Sequence, residues 1–197
     1  MFRYFAPIAL VITSTLSACA SSDADLDAAT RSEVPAMRWD HLPDGDDWTG
    51  AAFTALETHG AVLPSLVPDD IQDYCPAYPD NDMEDRRAFW SGLASALAKH
   101  ESTWQPDAVG GEGRWHGLLQ ISPGTARAYG CVARSGQALQ DGPANLSCAV
   151  RIWASTVPRD GVVSSGMRGV AADWGPFHSR RKRQDIMEWT RAQDYCN

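Results

Sequence analysis

The sequence has little of what several function classes require. Its apolar run from Phe5 to Leu16 is too short to cross a bilayer. It has no closely spaced Cys-x-x-Cys pair, so the scattered cysteines do not read as a zinc site, and neither a metal nor another cofactor is expected. Basic residues are few, with 17 Lys and Arg against 25 Asp and Glu and a formal charge of −8, which disfavours nucleic acid as a partner. There is no internal repeat and no low-complexity tract. Alternation with period two is rare, which argues against a sheet as the main element.

What is present at the N-terminus has the form of an export signal. Met1-Phe2-Arg3-Tyr4 carries one positive charge, the apolar run follows, and it ends in Leu16-Ser17-Ala18-Cys19. That ending resembles the lipobox of bacterial lipoproteins. The resemblance implies that residues 1–18 are removed, that Cys19 is lipidated as the new N-terminus, and that Ala20 beside it permits sorting to the outer membrane. The protein would then be periplasmic and held to the membrane through Cys19. An ordinary signal peptide cut near Ala18 or Ala20 is the alternative. Loss of Arg3 with the signal leaves 16 basic against 25 acidic residues, a charge of −9. The remaining ~180 residues suffice for one domain with a proper core.

Beyond Cys19 there are four cysteines, Cys75, Cys131, Cys148 and Cys196, and an even number in an exported chain reads as two disulfides. Of the possible pairings we favour Cys131–Cys148, which closes a short local loop, and Cys75–Cys196, which ties the last residues to the start of the domain. Residues 19–37 are small, polar and acidic and are expected to form a flexible tether. Residues 38–80 carry repeated breakers around a helical stretch at Thr49–Thr58 and are expected to wrap over the domain formed by residues 81–197.

The clearest helix begins at Asn81 or Asp82, either of which can cap it, and runs to about Ser102 before Pro106. Phe89, Leu93 and Leu97 follow one another at i+4, and Glu101 is the next position in that apolar row. A carboxylate there is disfavoured as an anion by burial and by the negative end of the helix dipole, so its pKa should rise. A carboxylic acid still protonated near neutral pH is what protonates a departing glycosidic oxygen. The plainer alternative is a helix-end residue paired with an arginine or turned to solvent. Ser122-Pro123 opens a short helix that Gly130 ends, and further helical stretches are expected at Pro143–Thr156, Ser164–Asp173 and Ser179–Asp194. Gly110 to Gly117 suits a loop or small hairpin, so the expected fold is mainly α.

The order of motifs around Glu101 carries a resemblance. Glu101-Ser102 on a helix is followed by Gly117-Leu118-Leu119-Gln120, then Pro123 and Thr125-Ala126, and later by Asn145-Leu146. This order resembles the soluble-lytic-transglycosylase (SLT) family, glycoside hydrolase family 23, over residues 86–176. The resemblance implies a single α+β lysozyme-like domain with a hairpin beside its cleft, and peptidoglycan glycan strands as substrate. It also implies Glu101 as the single acid/base of a lytic transglycosylase. Ser102, Gly117, Leu118 and Gln120 would line the sugar site, Gly117 by letting backbone approach the glycan. Because peptidoglycan is itself acidic, recognition by this acidic chain must come from local contacts in a groove.

The family's Ala-Tyr-Asn-Ala-Gly motif, whose tyrosine helps hold the catalytic glutamate, is altered. Its counterpart is Ala171-Ala172-Asp173-Trp174-Gly175, with alanine in the tyrosine's place. Asp173 and Trp174 are therefore candidate substrate contacts, Trp174 as a stacking platform or else as core, while Tyr129 or Tyr195 could reach Glu101 from elsewhere. His116 in the cleft loop is a further candidate for bonding a sugar hydroxyl. Arg180-Arg181-Lys182-Arg183, the only basic cluster, reads as a solvated helix face. A zincin reading of His100-Glu101 fails because Trp104 stands where the second histidine belongs. Two alternatives stay open: a lysozyme-type hydrolase with Glu112 or Asp107 as second carboxylate, and a catalytically silent glycan-binding lipoprotein.

Overall fold

The computed structural model describes Met1, Phe2 and residues 34–197; the export signal, Cys19 and nearly all of the tether lie outside the described residues. Pro35–Asn197 form one compact unit. Met37 and Trp39 already belong to its core, so the packed chain starts before the tether was expected to end. Residues 38–80 do more than wrap. Their helix α1 (Gly45–Glu57) buries Trp48, Ala52, Ala55 and Leu56, and α2 (Val62–Ser65) adds Leu63 and Pro64.

Helix α3 (Met83–Glu101) runs through the middle of the unit. It starts where Asp82 accepts the backbone N–H groups of Glu84 and Asp85 at 2.9 and 3.0 Å, a cap that satisfies two of the free donors of the first turn. The apolar row predicts one buried face, but every residue from Ala88 to Ala98 is buried. Apart from Trp90, the positions between the row are alanine, serine and glycine, whose small side chains let neighbours close in from all sides. At Gly92 a side chain would collide with the Tyr195 hydroxyl. Against α3 pack α1, α2 and the last helix α7 (Arg180–Arg191).

After α3 come the two-residue strands β1 (Val109–Gly110) and β2 (Trp115–His116), paired antiparallel with Val109 opposite His116. Helix α4 (Pro123–Ala128) is capped by Ser122, and α5 (Gly136–Leu139) precedes the long α6 (Gly142–Asp160), which packs on α1. The helix expected over Ser164–Asp173 is instead a pair of 3-10 turns, Ser165–Met167 and Gly169–Ala172. Gly166, Met167 and Gly169 all have positive φ, which an α-helix does not admit. At Gly169 any side chain would also strike the Val162 carbonyl.

Both disulfides form as the cysteine positions suggest, with Cα separations of 4.5 Å for Cys75–Cys196 and 5.2 Å for Cys131–Cys148. The first spans 121 residues and is flanked by bonds from the Ala77 N–H to the Cys196 carbonyl and from the Asn81 amide to the Tyr195 carbonyl. Constraining so long a loop in the unfolded chain contributes about 2–5 kcal/mol.

One buried amide fixes the loop that faces the end of α3. Asn145, fully buried in α6, accepts the Leu119 N–H at 2.9 Å and donates to the carbonyls of His116 and Leu139 at 2.9 and 2.8 Å. Gly117 lies so close to Asn145 and to the Leu139 carbonyl that no side chain would fit, and its φ is +80°. Asn145→Ala would strand one buried donor and two carbonyls, so a loss of about 2–4 kcal/mol in urea unfolding is expected. A change below about 0.5 kcal/mol would contradict this role for the amide.

Candidate active site

Glu101 is the last residue of α3, and the chain leaves the helix abruptly. Ser102 caps it, its N–H and its hydroxyl both donating to the Ala98 carbonyl at 3.0 and 3.3 Å. Thr103 and Trp104 then take positive φ of 54° and 58°, a conformation that costs free energy and persists only where neighbours hold it. Trp104 supplies that hold. Its indole N–H donates to the Ser95 carbonyl at 2.8 Å, and its ring meets His41 edge to face.

Glu101 opens into a cavity of about 440 Å³. His100 and Glu101 form one end, Gly110, Gly111, Trp115 and Gln120 the hairpin wall, and Asp173, Trp174, Gly175 and Pro176 the wall opposite, with Lys182 reaching in from α7. A smaller hollow of about 40 Å³ shares Trp115, Gln120, Asp173 and Trp174 with it and extends to Ser122 and Thr125. Gln120, itself at φ +48°, ties the hairpin to the loop by donating to the carbonyls of Ala108 and Gly117 at 3.1 and 2.9 Å.

Burial pushes the Glu101 carboxyl up to about 7, against the opposing pull of Lys182. Among the described residues its carboxyl makes no hydrogen bond and no ion pair. Desolvation is thus offset by no bond and only in part by the Lys182 charge, and the neutral acid is the favoured form below about pH 7. Next to it, His100 is held by Asp185 of α7, whose Oδ2 lies 2.7 Å from the His100 Nε2. Burial lowers the His100 pKa although Asp185 pulls the other way. Asp185 also accepts both Arg38 guanidinium N–H groups, at 2.6 and 3.0 Å, and the Lys99 ammonium at 3.2 Å. The Arg38 guanidinium, more than any other partner, holds this carboxyl well below the usual carboxylate range. One aspartate therefore joins the start of the compact unit, the end of α3 and α7.

The structure sorts the expected site residues. Glu101, Gln120, Asp173 and Trp174 line the cavity. Trp174 is at once wall and core: it is 4 % exposed, its indole N–H donates to the Leu119 carbonyl at 2.9 Å, and its ring meets Trp153 edge to face. Leu118 is fully buried and belongs to the core, so it is no sugar contact. Gly117 serves the packing of Asn145, not the approach of a ligand. The His116 ring is turned to the Gly113 carbonyl, 3.1 Å from its Nε2, and lies over Gly136. Ser102 acts as the cap of α3. Neither tyrosine reaches Glu101, because the Tyr129 hydroxyl donates to Asp173 at 3.4 Å and the Tyr195 hydroxyl to the Ala36 carbonyl at 3.3 Å. Asp107 and Glu112 are exposed and stand outside the cavity walls.

Three polar or aromatic side chains of the cavity were missed in the sequence. Lys182 was hidden in the basic run, of which Arg180 and Arg181 are indeed exposed. His100 was weighed only as a metal ligand. Trp115, 42 % exposed at the cavity with the Arg114 guanidinium 4.9 Å from its ring centroid, was unremarked. An aromatic residue within a glycine-rich loop was the available signal.

Comparisons with known proteins agree with this geometry. Residues 80–160 match the family model described as the Transglycosylase SLT domain. The solved structures of Bd0314 DslA are similar: the wild-type form aligns at a TM-score of 0.74 and 28% identity over 84% of this chain and 100% of that one. Two glutamate-to-glutamine mutants of the same protein align at 0.75 and 0.73, also at 28% identity. They cover 84% and 82% of this chain, and 100% and 97% of their own. No curated protein sequence is significantly similar to the chain. The matched segment runs from the start of α3 to the end of α6 with Glu101 at the cavity between them, so residues 80–160 are similar to a transglycosylase SLT domain, within a lysozyme-like fold.

Proposed function

We propose that this protein is a peptidoglycan lytic transglycosylase that cleaves the bond between N-acetylmuramic acid and N-acetylglucosamine with Glu101 as its single acid/base. The observation that carries the reading is a carboxylic acid kept neutral by burial, without a hydrogen-bond partner among the described residues, at the end of a cavity large enough for sugar units. The protonated Glu101 gives its proton to the glycosidic oxygen as the bond from that oxygen to the anomeric carbon breaks. A hydroxyl of the same muramic acid unit attacks the anomeric carbon and returns its proton to the Glu101 carboxylate, which leaves a 1,6-anhydro end. The attacking group is part of the substrate, so its effective concentration is high and the protein need not supply a nucleophile. Trp115 offers a ring face for stacking a sugar, and Gly110 and Gly111 keep the hairpin wall low.

A second reading, a hydrolase, is favoured by two observations. Asp173 is a carboxylate on the same cavity. The substituted glutamates of the two Bd0314 DslA mutants are eleven positions apart in that protein, the spacing that separates Glu101 from Glu112 here. Mass spectrometry of the ends released from purified sacculi decides between the readings. Anhydro ends and an inactive Glu101→Gln variant support the transglycosylase. Reducing ends, lost in Asp173→Asn or Glu112→Gln, support the hydrolase. Binding to sacculi without release of fragments leaves a silent glycan-binding protein. Because Glu101 must be protonated to begin the reaction, kcat/KM is expected to fall about tenfold per unit above pH ~7. A profile flat from pH 5 to 9 would contradict the assignment.

The same burial has a thermodynamic side. The folded-state pKa of Glu101 lies above its unfolded value, so folding takes up a proton between them. The stability associated with the neutral acid is complete below about pH 4.5 and is lost as pH rises to about 7. Glu101→Gln, which is always neutral, is expected to exceed the wild type by about 1–3 kcal/mol at pH 8 and to match it near pH 4.5. Urea unfolding at the two pH values is the check, and equal differences at both would count against a buried neutral acid.

The substrate fits a periplasmic lipoprotein, and we extend the proposal to Cys19 as the lipid anchor. Intact mass of the membrane-extracted protein should then show a diacylated N-terminal cysteine, absent from Cys19→Ser. An unmodified wild-type N-terminus would exclude the anchor.

A further inference from the structure

We propose that Lys182 is the positioning residue of Glu101, filling by charge the place that the family's tyrosine fills by a hydroxyl. The inference rests on Glu101 being the acid/base. The tyrosine's counterpart, Ala172, has no hydroxyl to offer, and Tyr129 and Tyr195 bond elsewhere. Lys182 is the cation whose side chain lines the cavity with Glu101.

Its placement follows from α7. Ser179 caps that helix, and Lys182 is three residues before Asp185 and four before the buried Ile186, so all three share the face turned to α3. Asp185 confirms the direction by its bond to His100. Within the basic run the other side chains go elsewhere: Arg180 and Arg181 to solvent, Arg183 to the Phe177 carbonyl. The Lys182 ammonium makes no hydrogen bond or ion pair among the described residues, so its charge is uncommitted beside a carboxyl that is equally unpaired.

The other titratable groups around Glu101 do not duplicate this role. His100, on the same helix, is kept towards its neutral form by burial and is bonded to Asp185. Asp173, on the facing wall, is of the wrong sign and accepts from Tyr129. The hairpin wall contributes Gly110, Gly111, Trp115 and Gln120, none of them ionisable. When Glu101 gives up its proton, Lys182 therefore stabilises the carboxylate that results.

The test follows the ionisation of Glu101 directly, by carbon-13 NMR of its carboxyl in the full chain, together with the pH profile of sacculus digestion. In Lys182→Met, which keeps the apolar stem, the Glu101 pKa and the alkaline limb of kcat/KM should both move up by roughly one unit. At pH 6 kcat should fall several-fold, up to about tenfold, with KM within about twofold, tenfold being the limit for a proton fully transferred in the transition state. Lys182→Arg should restore the wild-type position of both. An unmoved Glu101 titration overturns the proposal, as does a raised KM with unchanged kcat, which would make Lys182 a contact for an anionic group of the glycan. An active Glu101→Gln enzyme would refute the catalytic reading itself, while the NMR titration would still report whether Lys182 governs that carboxyl.

Discussion

Burial of α3 on every side is the constraint from which the rest of the site follows. A helix lined with Ala88, Ser91, Gly92, Ala94, Ser95, Ala96 and Ala98 between its larger residues accepts neighbours all round, and those neighbours leave its last residue little water. Glu101 inherits a low-polarity setting from packing that has no chemistry of its own. The cost of a carboxylate there is offset only in part by Lys182, and the difference appears as a pKa near 7. An acid suited to neutral pH thus arises without any dedicated partner bonded to it.

Burial alone would give a stranded acid, and the cavity in front of it depends on a second device. The loop from Gly117 to Gln120 is closed by backbone pairing of His116 with Ile121, and side chains hold it from outside: Asn145 binds both edges and Trp174 takes the Leu119 carbonyl. Gln120 then fixes the hairpin that carries Trp115. The positive φ values at Thr103, Trp104, Glu112 and Gln120 gather around this one region, where the chain is bent to make a wall.

Legibility in the sequence followed the range of the interactions concerned. Glu101 was visible because the i+4 spacing of Phe89, Leu93 and Leu97 is local, and the caps at Asp82 and Ser122 were visible for the same reason. Both disulfides could be paired because loop length narrows the choice. The segment Gly117 to Gln120 was legible as a motif but not as a set of roles. Leu118 and Gly117 serve the core and Asn145, which only the arrival of α6 reveals. Lys182 was illegible, since nothing in a run of four basic residues tells which of them faces inward. That depends on the angle at which α7 lies on α3. The 3-10 turns over Ser165–Ala172 escaped prediction because left-handed backbone at Met167 leaves no mark in a pattern of apolar residues.

The far end of the chain bears on when the site exists at all. Trp189 and Tyr195 cover α3 at Gly92, Asp185 orients His100, Lys182 faces Glu101, and Cys196 locks this segment to Cys75. In a chain synthesised from its N-terminus, every one of these pieces follows Glu101 and Gln120. A molecule cut short before α7 would hold the motif residues Glu101 and Gln120 yet lack the cover that keeps Glu101 neutral. If Glu101 acts as proposed, the acid thereby stays unarmed until α7 and the Cys75–Cys196 link are in place.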